Sequence, residues 1–274
     1  KGGIRIWGPN CMGLIDTAKP YVFSFVIPKD MKEAIRPGHI SLMVQSGLLS
    51  GGFVITLMGN KTLGLAKVCS IGNKCDVGEN EILEYLLKDP TTKVVCLYLE
   101  SFINGRRFYE LAASSDKPII VLKGGKTPSG AKASFSHTAS LAGNYELIKG
   151  ILRQARVIEA EDFFEMMDIA RTLEKDFHIQ RSPAGKPRIA ILTYSGASGI
   201  VTTDHMEKYG LTLAHLSPQS QKQLEELSPD WMPVNNPVDY WPAIEKNGPA
   251  LAYKHAISAL HDDPEVDGII VHIY

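Results

Sequence analysis

Unbroken apolar runs alternate along this chain with segments of helical spacing. Residues 39–45, 65–69, 94–99, 117–123 and 188–193 are β-branched and aliphatic almost throughout. A strand reads this way when helices cover both faces of its sheet and neither face meets water. Between these runs, Ile82, Leu83, Leu86 and Leu87 recur at helical spacing within residues 79–87, an amphipathic crossover. Helices are expected also at 46–59, 105–114, 144–153, 161–177, 200–209, 219–227 and 249–260, the fourth of these burying Phe164, Met167, Ala170, Leu173 and Phe177. Short strands are expected at 4–7, 157–158, 211–216 and 268–273. Strand and helix in alternation predict an α/β fold with parallel sheets. Residues 14–38 carry little periodicity and end at Arg36-Pro-Gly38, which reads as a linker. The Arg181-Ser-Pro-Ala-Gly-Lys-Pro187 stretch is the clearest boundary. The expected division is 1–38, 39–180 and 187–274; the third part stops on a strand and reads as incomplete.

Composition narrows the function. Twenty-nine Lys and Arg stand against 30 Asp and Glu, a net charge of −1, so no general field draws the chain to nucleic acid or anionic lipid. No apolar run approaches the roughly 18 residues of a membrane span. Cys11, Cys69, Cys75 and Cys96 form no C-x-x-C pair, which favours reduced thiols in a cytoplasmic protein and gives no metal site. The chain opens on Lys1 with a strand that has nothing before it, and reads as a piece of something longer.

The candidate chemistry gathers at strand ends. His137 follows the 117–123 strand among Ser134, Ser136, Thr138, Ala139, Ser140 and Gly143, small residues on a loop that leaves room for a bulky charged group. Taken alone, an incidental histidine on a surface loop is the better explanation. Ser46-Gly47 follows the 39–45 strand and caps a helix whose free amides suit an anion; plain helix-on-sheet packing is the alternative. A second turn of the kind, Ser195-Gly196-Ala197-Ser198, follows the 188–193 strand, so two helix ends are expected to face one anion. Gly72, Asn73 and Lys74 leave the 65–69 strand, and Glu100 follows the 94–99 strand directly. Glu100 is either a solvated strand-end charge or the orienting partner of a base on the neighbouring strand. Asn236-Pro237 sets Asp239 on a rigid loop.

Together and in order, Gly8-Pro-Asn-Cys11, Gln45-Ser-Gly47, Gly72-Asn-Lys74, Tyr98-Leu-Glu100, Ser136-His-Thr138 and Asn236-Pro-Val-Asp239 resemble the nucleoside-diphosphate-forming acyl-CoA synthetases, the superfamily of succinyl-CoA synthetase and of ADP-forming acetyl-CoA synthetases. The resemblance implies two flavodoxin-like domains, the second truncated, after the end of a CoA-binding domain. It implies a ligase that interconverts acyl-CoA, phosphate and ADP with acid, CoA and ATP. His137 would carry the phosphoryl group and Glu100 would orient it. Ser46, Gly47 and Ser195–Ser198 would cradle phosphate, and Asn10, Gly72, Asn73, Lys74, Asn236 and Asp239 would line the CoA and acyl site. Mg and nucleotide would belong to an ATP-grasp domain or subunit absent from this sequence, in a homo- or hetero-oligomer, so this stretch alone would not complete the reaction. Tyr194 and Ala197 depart from the family's Asn and Gly. Two other readings stand beside it: the regulatory synthetase-like region of a protein lysine acetyltransferase, which shares the resemblance, and a non-catalytic module binding CoA or phosphate.

Overall fold

A computed structural model describes residues 3–19, 21–25, 35–60, 63–138, 144–175 and 185–273, for 58–60 and 135–138 the backbone only. The chain divides into two compact units, residues 1–177 and 178–274.

In the first unit the elements run β1 (Gly13–Asp16), β2 (Tyr21–Ser24), β3 (Pro37–Val44), α1 (Gly47–Asn60), β4 (Leu65–Ser70), α2 (Glu79–Lys88), β5 (Val94–Leu99), α3 (Gly105–Ala113), β6 (Ile119–Lys123), α4 (Pro128–Thr138), α5 (Tyr145–Gln154), β7 (Ile158–Ala160) and α6 (Phe163–Glu174). The sheet order is β2-β1-β4-β3-β5-β6-β7. Strands β3 to β7 are parallel; β1 runs antiparallel to β2 and β4. Counting only the parallel strands, the order is second, first, third, fourth, fifth, which is the flavodoxin-like winding. Its direction reverses between β3 and β5, so helices fall on both faces. Alternation along each strand feeds two cores: Ile40, Leu42, Val44 and Cys96 enter one, and Met43, Val95, Leu97 and Leu99 the other.

The second unit contains β8 (Arg188–Thr193), α7 (Gly196–Lys208), β9 (Thr212–Leu213), α8 (Pro218–Glu225), β10 (Val238–Asp239), α9 (Trp241–Asn247), α10 (Pro249–His261) and β11 (Gly268–Val271). Here β8 is central and pairs in parallel with β9, β10 and β11.

Several expectations need correction. Residues 4–7 form no strand: Ile4 and Ile6 are exposed, and the Ile6 amide donates to the Asp76 carboxylate at 2.7 Å instead of to a neighbouring strand. The supposed linker contains the β1–β2 hairpin, which joins the sheet through β4. Buried Lys67 ties it down by pairing with Asp16 at 3.4 Å and Asp89 at 3.2 Å; strands of four residues are too short to show a period. The loop expected before His137 is helix α4 through residue 138. Thr127 accepts the Gly130 amide at 3.1 Å, Pro128 starts the first turn, and alanines extend it. On α6, Phe164 points outward and Met166 enters the core in its place. The phase is set by Asp162, which accepts the Glu165 amide at 2.9 Å, and by Phe163 stacked on Phe53 with centroids 3.8 Å apart; Phe177 lies outside the described residues. Helix α7 begins at Gly196, four residues early, β9 is only two residues long, Asp239 ends a strand instead of riding a loop, and α9 was not expected.

Candidate functional site at the carboxyl edge of the first sheet

Open α/β sheets take ligands where the strand order reverses, beyond the carboxyl ends. Here that point is flanked by Gln45-Ser46 leaving β3 and Glu100-Ser101 leaving β5. Glu100 is buried, 5% exposed. Its two carboxylate oxygens accept hydrogen bonds from the Tyr98 hydroxyl at 3.3 Å and the Ser134 hydroxyl of α4 at 3.4 Å. Burial and the neighbouring Glu100 charge push the Tyr98 phenol up to about 12, so it stays a donor. Gly124 makes the crossing possible: a Cβ there would stand 2.9 Å from the Tyr98 oxygen and 3.3 Å from Glu100 Cγ.

The exit loop of β5 is braced on every side. Gln45 Oε1 accepts the amides of Glu100 at 2.8 Å and Ser101 at 3.1 Å. Lys74 Nζ donates to the Ser101 carbonyl at 2.7 Å and pairs with Glu79 at 3.0 Å, while the other Glu79 oxygen accepts the Ile103 amide at 2.7 Å. Burial lowers the Lys74 ammonium below its ordinary value, and Glu79 opposes that shift. From β6, Lys123 Nζ donates to the Glu100 carbonyl at 2.7 Å and to the Gly124 carbonyl.

The expected cradle at α1 is capped as anticipated, with the Leu49 amide donating to Ser46 Oγ at 3.4 Å. Gly47, however, lies against the chain itself, since a Cβ would approach the Asn10 carbonyl to 2.9 Å. Gly72, at φ +56°, does the same with Pro9, whose carbonyl also accepts the Asn73 amide at 2.9 Å. Gly8–Asn10 therefore sits over the ends of β4 and the start of α1, leaving Asn10 and Asn73 exposed.

The remaining positions belong to the second unit. Asn236 is committed within the fold: its amide nitrogen donates to the Ile189 and Ala214 carbonyls and its oxygen accepts from the Ile191 amide, all at 2.9 Å. Asp239 caps α7, accepting the Gly196 and Trp241 amides, with its Oδ2 2.8 Å from where a Gly196 Cβ would stand. A carboxylate thus already occupies the first turn of that helix. Ser195 exchanges hydrogen bonds with Thr193, Ala197 is exposed, and Tyr194 turns to donate to Glu245. The side chain of His137 lies outside the described residues.

Sequence reasoning had Gln45 and Tyr98 within motifs but not their contacts with Glu100, and it missed Lys123, Gly124 and Glu79. The available signal was a lysine closing an otherwise apolar strand. Among the described residues no group of three or more His, Cys, Asp or Glu could hold a metal ion, and no helix is long and apolar enough to cross a membrane.

Residues 37–173 match the succinyl-CoA ligase-like flavodoxin domain, and the chain belongs to that family, the nucleoside-diphosphate-forming acyl-CoA synthetases. Within it the chain is similar to ADP-forming acetate–CoA ligases. It is 38% identical to the Archaeoglobus fulgidus enzyme II over all of its own length and 40% of that protein's. It is 34% identical to the alpha subunit of enzyme II from Pyrococcus furiosus, covering 98% of itself and 56% of the subunit. In three dimensions it is similar to the acetyl-CoA synthetase 1 of Ca. Korarchaeum cryptofilum, solved with phosphate and ADP: TM-score 0.80, 28% identity, 98% of this chain and 56% of that one. The chain thus spans about half or less of the relatives it matches.

Proposed function

We propose that this chain is the phosphoryl-carrying core of an ADP-forming acyl-CoA synthetase, with His137 as carrier and Glu100 as its orienting carboxylate. The supporting observation is the Ser134–Glu100 contact. Ser134 and position 137 are one helical turn apart on α4, hence on one face of it, and that face meets Glu100 through Ser134. A buried carboxylate beside an imidazole selects its reactive tautomer and supports its positive charge during transfer.

In the proposed cycle, phosphate displaces CoA from acyl-CoA to give acyl phosphate and free thiol. The His137 imidazole then takes the phosphoryl group as the carboxylate leaves, and passes it to ADP. The amides at the start of α1 would hold phosphoryl oxygens, and Asn10, Gly72 and Asn73 would contact the CoA or acyl part. The ADP step, with its Mg, would fall to an ATP-grasp domain or partner subunit, so the stretch described here would not turn over alone. The acyl group is open: relatives include 4-hydroxybutyrate and trans-feruloyl ligases as well as acetate enzymes.

The test is to incubate the protein, ATP-grasp component present, with acetyl-CoA, labelled phosphate and ADP. Acid-labile label on His137 and labelled ATP are expected. His137→Ala should lose both; label persisting in that variant would reject the reading.

A further inference from the structure

Lys123 closes β6 and is 3% exposed. Its described partners are two carbonyl oxygens, Glu100 and Gly124, and no carboxylate. An ammonium hydrogen-bonded to carbonyls and no carboxylate loses more by burial than the nearby Glu100 and Glu159 charges return, and an apolar side chain of similar length would fill the space without that penalty. The charge is therefore poorly explained by stability. What it does hold is the peptide of Glu100, on the carbonyl side. From the opposite flanking strand Gln45 holds the same residue by its amide, at 2.8 Å. With both peptide groups gripped, the Glu100 side chain has one course, across Gly124 to Tyr98 and Ser134.

We propose that Lys123 and Gln45 are positioning residues that clamp the Glu100 backbone and so aim its carboxylate in the phosphoryl-transfer site. The inference rests on the proposed function of that site. Transfer between an acyl phosphate and an imidazole depends mainly on alignment, so loosening the clamp lowers the rate at saturating donor and leaves donor binding alone.

The pH dependence has a definite sign. Burial lowers Lys123 to about 8. Glu100 from β5 and Glu159 from β7 support its charge, and Lys74 and Lys126 oppose it. Above that pH the amine donates more weakly and the clamp relaxes, so the rate declines. Arginine keeps its charge throughout this range.

The experiment gives this chain acetyl phosphate labelled in its phosphoryl group and follows acid-labile label, with His137→Ala as the blank. Lys123→Met is expected to slow labelling about 10- to 100-fold at saturating acetyl phosphate, with half-saturation unchanged and Tm equal to or above wild type. Lys123→Arg should recover much of the rate and lack the decline above pH 8. Labelling by Lys123→Met at the wild-type rate overturns the inference. So does a loss of rate and Tm together in Lys123→Met, with Lys123→Arg showing the wild-type pH profile. Wild type as blank as His137→Ala rejects the phosphohistidine reading itself, and the clamp with it.

Discussion

Replacing Glu79 by Gln tests whether the brace beneath Glu100 is the buried ion pair. The Lys74 and Glu79 side chains are 3% and 0% exposed, with nitrogen and oxygen 3.0 Å apart. At that separation and an effective dielectric of about 20, the attraction is about 5.5 kcal/mol. Glutamine keeps a carbonyl for the Ile103 amide but leaves Lys74 without its counter-charge. Lys74 can escape by losing its proton, which at pH 7 costs a lysine of ordinary pKa about 4.6 kcal/mol. The two bounds put the loss at about 3–5 kcal/mol, the range for breaking a buried pair. It should shrink as pH rises towards the ordinary lysine value, since neutralising Lys74 then costs less. Urea unfolding would measure it in a Trp231→Phe/Trp241→Phe background, where Trp7 is the one remaining tryptophan; its indole donates to the Ser70 carbonyl at this same edge. Adding Lys74→Met to Glu79→Gln should restore part of the loss. A loss below about 1 kcal/mol, with no coupling in the double variant, would refute the reasoning.

Gly72→Ala should destabilise the first unit by about 1–3 kcal/mol from the left-handed backbone alone, and by more because its Cβ would stand 2.1 Å from the Pro9 carbonyl; the Trp7 signal in thermal unfolding reports it. Asp239 is pushed above its ordinary value by burial, and its Oδ1 is buried without a hydrogen bond. The folded state therefore holds this proton more tightly than the unfolded state, so the contribution to stability falls as pH rises through about 4 and then levels off. Asp239→Asn should remove that slope in thermal unfolding followed from about pH 3.5 to about pH 7, a span that starts below the ordinary aspartate value; an unchanged slope would show that the carboxylate is not the titrating group.

Much of the first unit was legible because buried parallel strands announce themselves. Residues 94–99 are apolar throughout, residues 65–69 are apolar but for Lys67, and α2 carries its leucines at helical spacing. The ordered motifs were enough to name the family, since each is a short contiguous string. The β1–β2 hairpin escaped because four-residue strands carry no readable period, and α4 because its serines and glycines suit a loop as well as a helix. The site divides in the same way. That Glu100 would stand beside the strand ending at Lys123 follows from winding rules applied to the sequence. That Gln45 and Lys123 hold the two sides of one peptide, that Lys74 is tied to Glu79, and that Asp239 caps the helix at Gly196 were decided by tertiary structure alone. These partners lie on different elements, and a hydrogen bond over 3 Å depends on where the folded backbones place two side chains, which no local pattern of residues encodes.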